Sequence, residues 1–201
     1  KNKAADMTEF IKIKSIYDLC PIESQLLTCG EEKKSIPINF PIQSQVSPKE
    51  SSGRSELTKK NYKQAVKYLT EAWEGEGKDK DPSLLIALNN AKIMQELQQK
   101  SLGINQVHAI SVAIPFSRTP EYISQNILRG VAWKQEEFNN NNSDDNNEDW
   151  KLLVLMADDS NDGEQAQKIA DEIGTYNSTL DNPILGFIGH YSSRACLLYT
   201  S

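Results

Sequence analysis

The sequence predicts an α/β fold: a partial, Rossmann-like parallel sheet lobe, preceded by an α-helical hairpin and an irregular N-terminal arm. Three observations carry this. Apolar runs of strand length near residues 108, 151 and 184 are separated by stretches with helical spacing, and strand–helix–strand–helix–strand requires right-handed crossovers and a parallel sheet. Residues 55–100 carry helical periodicity alone. Before them, Pro21, Pro37, Pro41 and Pro48 interrupt only short apolar runs.

Residues 1–54 are expected to be arm and linker. Phe10-Ile11-Lys12-Ile13 and Ile36-Pro37-Ile38-Asn39-Phe40 suit edge strands or a loose arm. From Gln43 to Arg54 the Ser, Gln, Pro, Lys and Gly residues offer too little apolar area to offset the entropy of ordering.

A helical hairpin follows over residues 55–100. Leu57, Tyr62, Ala65, Val66, Leu69, Ala72 and Trp73 recur at steps of three and four until Gly75 and Gly77 end the pattern. In the next helix Asp81 serves as cap and Pro82 fits the first turn. Leu84, Leu85, Leu88, Ala91, Ile93, Met94 and Leu97 then give a broad apolar face. The run Asn61-Tyr62-Lys63-Gln64-Ala65, then Ala72, then Pro82, resembles one tetratricopeptide repeat, with extra residues from Gly75 to Lys80 before the proline. A plain hairpin and a peptide-binding groove remain equally open.

The α/β lobe is expected over residues 107–193. His108 to Ile114 is β-branched and apolar, and Pro115 stops it. Pro120 opens a helix with Ile123, Ile127, Leu128, Val131 and Ala132 inward, ending near Phe138; Trp133 on it is a candidate pocket aromatic, with packing the preferred reading. Asn139 to Asp149 is a polar low-complexity run, expected as a solvated loop. Lys151 to Met156 is continuously apolar after its first residue, as when both sheet faces are covered. Ala166, Ile169, Ala170 and Ile173 line a helix ending at Gly174, and Ile184 to Ile188 is the third strand. The sequence stops where a further helix should begin, as expected of a fragment. A sheet face left partly bare predicts marginal stability. Residues 194–201 lack a polar face and form an atypical tail.

Composition excludes several classes. With 22 basic and 28 acidic residues the net charge is −6, and no basic cluster is interleaved with aromatics, so no nucleic-acid partner is expected. No apolar window reaches membrane-spanning length. Cys20, Cys29 and Cys196 form no Cys-x-x-Cys, and His108 and His190 stand far from the first pair, so no zinc site is expected. Cys20 and Cys29 suit either a disulfide across a hairpin or two free thiols. No nucleophile, base and acid occur in a hydrolase order, and no Gly-x-Gly-x-x-Gly or phosphate-binding Gly-Lys-Ser/Thr pattern is present; neither enzyme nor cofactor is expected.

In open parallel sheets ligands bind beyond the carboxyl ends of the strands. Three loops qualify: residues 115–119, 157–162 and 189–193. Asp158 and Asp159 are read as helix caps rather than metal ligands. In the last loop Gly189 permits close backbone approach, and Ser192 and Ser193 place hydroxyls beside helix-start amides. Spacing alone assigns these serines to capping.

The run Ile188-Gly189-His190-Tyr191-Ser192-Ser193, preceded by Asp158-Asp159, Gln165-Ala166 and Ile110-Ser111-Val112-Ala113-Ile114-Pro115, resembles the first lobe of the type 1 periplasmic binding proteins. The likeness is greatest to the branched-chain amino acid receptors of ABC transporters, and it covers about 85 of the 201 residues. It departs in the asparagine run before the second strand and in lacking the second lobe. The resemblance implies that Ser192 and Ser193 hold the α-carboxylate of an amino acid, with Tyr191, Phe116 and Ser117 as pocket wall. It further implies a small-molecule solute, a membrane permease or sensor domain as partner, and a periplasmic or extracytoplasmic location. A sensing domain of a signalling receptor and a tetratricopeptide-type interaction scaffold are the alternatives.

Overall fold

The computed structural model describes residues 19–31, 46–75, 80–116, 121–141, 150–177 and 184–189. Helices α1 (Pro48–Thr58), α2 (Tyr62–Gly75) and α3 (Pro82–Gln98) lead through a short 3-10 turn, Ile104–Gln106, into an alternating unit. That unit is β1 (Val107–Ile114), α4 (Glu121–Asn141), β2 (Lys151–Asp158), α5 (Gly163–Asn177) and β3 (Ile184–Gly189). The fold is α/β, with three parallel strands in the order β2-β1-β3.

Strand residues alternate between two covered faces. Val112, Ile114, Val154 and Met156 pack on Leu128 and Ala132 of α4. Ala113 and Ala157 turn the other way, onto Ile169 of α5 and the half-buried Phe187. This double cover explains the continuous apolar run of β2. Coverage thins at β3, where Leu185 is 61% and Ile188 42% exposed.

Helix α3 joins α1 and α2 to the sheet. Its residues from Pro82 to Ala91 are all buried, as expected of a helix apolar on most of its circumference. Leu84, Leu88 and Ala91 share a core with Leu57, Tyr62, Ala65 and Leu69 of the first two helices and with Leu153 and Leu155 of β2. Leu85 and Ile86 belong to the core under α4. Asp81 caps the helix as predicted, its Oδ1 accepting from Ser83 N at 2.7 Å.

Several elements differ from the sequence expectation. The stretch expected as linker up to residue 54 holds the first seven residues of α1, which starts on a Ser47 cap whose Oγ accepts from Glu50 N at 3.1 Å and runs on into the expected hairpin. Arg54 then pairs with Glu50 one turn back at 2.9 Å, both buried. The apolar spacing from Leu57 to Trp73 is split by Lys60, whose φ of 59° ends α1 before α2 begins. Helix α4 continues through Asn139 to Asn141 because the Asn139 side chain bonds β2. Helix α5 passes Gly174 and reaches Asn177, held by Tyr176, whose hydroxyl donates to Leu19 O. Residues 194–201 and most of the arm lie outside the described residues.

Within the described part of the arm, Cys20 and Cys29 form a disulfide with Cα atoms 5.6 Å apart. The loop it closes docks on the sheet: Thr28 exchanges two backbone hydrogen bonds with Met156, at 2.9 and 2.8 Å.

Candidate functional site

Because β1 lies between β2 and β3, the chain leaves β1 in one direction for β2 and returns past it for β3. Such a reversal opens a crevice beyond the carboxyl ends of the two strands flanking it, here β1 and β3.

At the β3 side of this crevice stands Gly189, with φ of 154°. A Cβ built there would lie 2.3 Å from Ala113 O, so only glycine lets the strand end approach β1 this closely. At the β1 side, the buried Ser124 of α4 donates its hydroxyl to Pro115 O at 2.9 Å and fixes the loop as it leaves the strand.

The loops after β1 and β2 are tied together by Asp158, which pairs in register with Ile114. Its Oδ1 accepts from Phe116 N at 2.9 Å and from Ser160 N at 2.8 Å, while Ile114 O accepts from Asp159 N at 3.2 Å. A buried carboxylate facing backbone amides is a strong, directional clasp. Sequence reasoning gave Asp158 only a capping role. The cap of α5 is Asp162 instead, its Oδ1 accepting from Gln165 N at 3.0 Å. Asp159 turns its Oδ1 to Asn161 N at 2.9 Å, supporting the left-handed pair Ser160 and Asn161, each at φ 52°. Among the described residues no cluster of His, Cys, Asp and Glu is arranged to hold a metal ion.

Of the predicted site residues, Phe116 is placed beside the clasp, half-buried and packed against the core under α4. Ser117, Tyr191, Ser192 and Ser193 lie outside the described residues, as do His190 and Cys196. Trp133, expected to pack, is 62% exposed. Its position on α4 falls outward of Ala132, which takes the buried site.

No family model, curated protein or solved structure matches this chain.

Proposed function

We propose that residues 107–193 act as the first lobe of a two-lobed receptor that binds an amino acid or a similar small solute, without catalysis. The observation that carries this reading is the reversal of strand order at β1, which sets the carboxyl ends of β1 and β3 side by side, with Asp158 tying the loop after β1 to β2 and Gly189 bringing the end of β3 close to β1. Ser192 and Ser193 with neighbouring amides hold the ligand carboxylate, and Tyr191, Phe116 and Ser117 line the pocket. The second lobe closes about a hinge, and preference of the solute for the closed form passes the signal to a permease or sensor domain. The Cys20–Cys29 disulfide supports a periplasmic or extracytoplasmic address, where such bonds persist.

Calorimetry of the protein carrying both lobes against a panel of amino acids tests the proposal. Binding of at least one amino acid is expected, with affinity falling by roughly tenfold or more when Ser192→Ala and Ser193→Ala are combined, since a charged ligand loses two hydrogen bonds. Absence of binding by every amino acid rejects the reading. Binding unaffected by the double substitution rejects the carboxylate assignment.

A further inference from the structure

A second concavity lies where the end of α2, the start of α3 and the middle of α4 meet, built from other residues than those of the β1–β3 crevice. It encloses about 270 Å³. Leu85 and Ala132, both fully buried, form its apolar floor, and the indoles of Trp73 and Trp133 stand in its walls. Pro82, Lys80 and Arg129 complete the lining.

The two cations are held at the cleft by identifiable contacts. Lys80 Nζ donates to Trp73 O at 2.8 Å and sits 4.3 Å from the centroid of the Trp73 ring, a cation–π arrangement that pins the ammonium to the wall. Arg129 lies four residues before Trp133 on α4, which places the two on one helix face. Its Nη1 donates to Asn126 Oδ1 at 3.1 Å, leaving most of the guanidinium fork unused by that bond. No carboxylate lines the cleft among the described residues, although the chain as a whole carries a net charge of −6. An exposed tryptophan beside two cations on an acidic protein is a local reversal of charge with an aromatic platform attached.

We infer that this cleft is a binding site for a small carboxylate carrying a planar aromatic ring. The ring stacks on Trp133 and covers the floor over Ala132, while the carboxylate takes the Arg129 fork and the Lys80 ammonium. The volume favours a single-ring compound over a peptide, since sites for drug-sized ligands begin at roughly 300 Å³.

Titration of the 15N-labelled 201-residue chain with phenylacetate, followed through its three indole N–H signals, tests the inference. Saturable shifts are expected at Trp133 and Trp73, with Trp150 unmoved. Arg129→Gln and Trp133→Ala alter residues at the protein surface, and each is expected to weaken binding by about fivefold or more while far-ultraviolet circular dichroism stays unchanged. Acetate and phenethylamine should give no saturable shift. The inference is overturned if phenylacetate fails to bind, if phenethylamine binds as well, or if both variants bind unchanged. It is also overturned if an amidated peptide with one Phe between two Asp residues binds more tightly than phenylacetate, which would make the occupant a peptide.

Discussion

Asn90 of α3 satisfies both backbone groups of Val154 at the outer edge of β2: its Oδ1 accepts from Val154 N at 3.1 Å and its Nδ2 donates to Val154 O at 2.7 Å. The same pattern repeats every second residue along that edge. Asn139 Oδ1 accepts from Leu152 N at 2.7 Å, and Thr28 closes Met156 with two backbone bonds. Gln135 Nε2 bridges Asn90 Oδ1 and Leu152 O at 2.8 and 3.0 Å. Side-chain amides from two helices, with one residue of the disulfide loop, thus stand in for a neighbouring strand. An edge that would otherwise invite pairing with another chain is sealed.

Replacing Asn90 with Ala strands buried groups on Val154, the carbonyl of Cys29 that Asn90 also serves at 2.9 Å, and the Gln135 amide. Each orphaned group costs about 1–3 kcal/mol, so a loss of roughly 3 kcal/mol or more is expected in urea unfolding followed by circular dichroism. A loss under about 1 kcal/mol would mean that water or a rearranged side chain replaces the amide.

The disulfide should contribute through the unfolded chain. For residues nine apart, loop closure is worth roughly 2.5 kcal/mol. Reduction with dithiothreitol is therefore expected to lower the urea midpoint of the wild-type chain and to leave that of a Cys20→Ala, Cys29→Ala variant where it was. Because Thr28 sits inside the loop, reduction should also speed amide exchange at Met156, whose N–H donates to Thr28 O. Equal exchange at Met156 in both redox states would show that the loop stays docked without its crosslink.

The parallel sheet and the order of its helices were legible because the apolar runs and their spacing are local. Asp81 and Pro82 were legible for the same reason. The start of α1 was also written locally, as Ser47 followed three residues later by Glu50, but the Ser and Gly residues after it outweighed that signal. What no local pattern carries is long-range pairing. Asn90 and Asn139 look like ordinary polar helix residues, and only the fold brings them, 64 and 13 residues away from their partners, to β2. Asp158 is legible only as a carboxylate in the loop after Met156; that β2 runs on to include it, and its tie to Phe116, depend on the β1–β2 register.

Two glycines of β3 should respond oppositely to alanine. At Gly189 the added Cβ would meet Ala113 O at 2.3 Å, and the φ of 154° is one that L side chains rarely adopt. At Gly186 the nearest atom is Ile110 Cγ2 at 3.7 Å, an ordinary contact. Gly189→Ala is expected to cost about 2 kcal/mol or more and to disturb amide signals at the end of β1, whereas Gly186→Ala should be neutral or stabilising by a few tenths of a kcal/mol. Equal stabilities for the two variants would contradict the close approach at the crevice.

Asp81 makes stability depend on pH with a sign opposite to that of most carboxylates. It sits 3.9 Å from Arg54 Nη2 and accepts from the Ser83 hydroxyl at 2.9 Å, with its side chain only 12% exposed. Burial pushes its pKa up to about 6 from 3.8, and the nearby Glu50 acts in the same direction, against the opposing pull of Arg54 and the Ser83 bonds. The folded state therefore holds a proton that the unfolded chain has released, so this group's contribution to stability is fully present below about pH 3.8 and is lost as pH rises to about 6. The change amounts to roughly 3 kcal/mol. Asp81→Asn keeps an N-capping oxygen and removes the titration. The stability of wild type relative to this variant is expected to fall as pH rises from 4 to about 6 and to level off above it. Urea unfolding of both chains at half-unit pH intervals reads this difference directly; a flat or rising difference would mean that Arg54 keeps Asp81 ionised throughout.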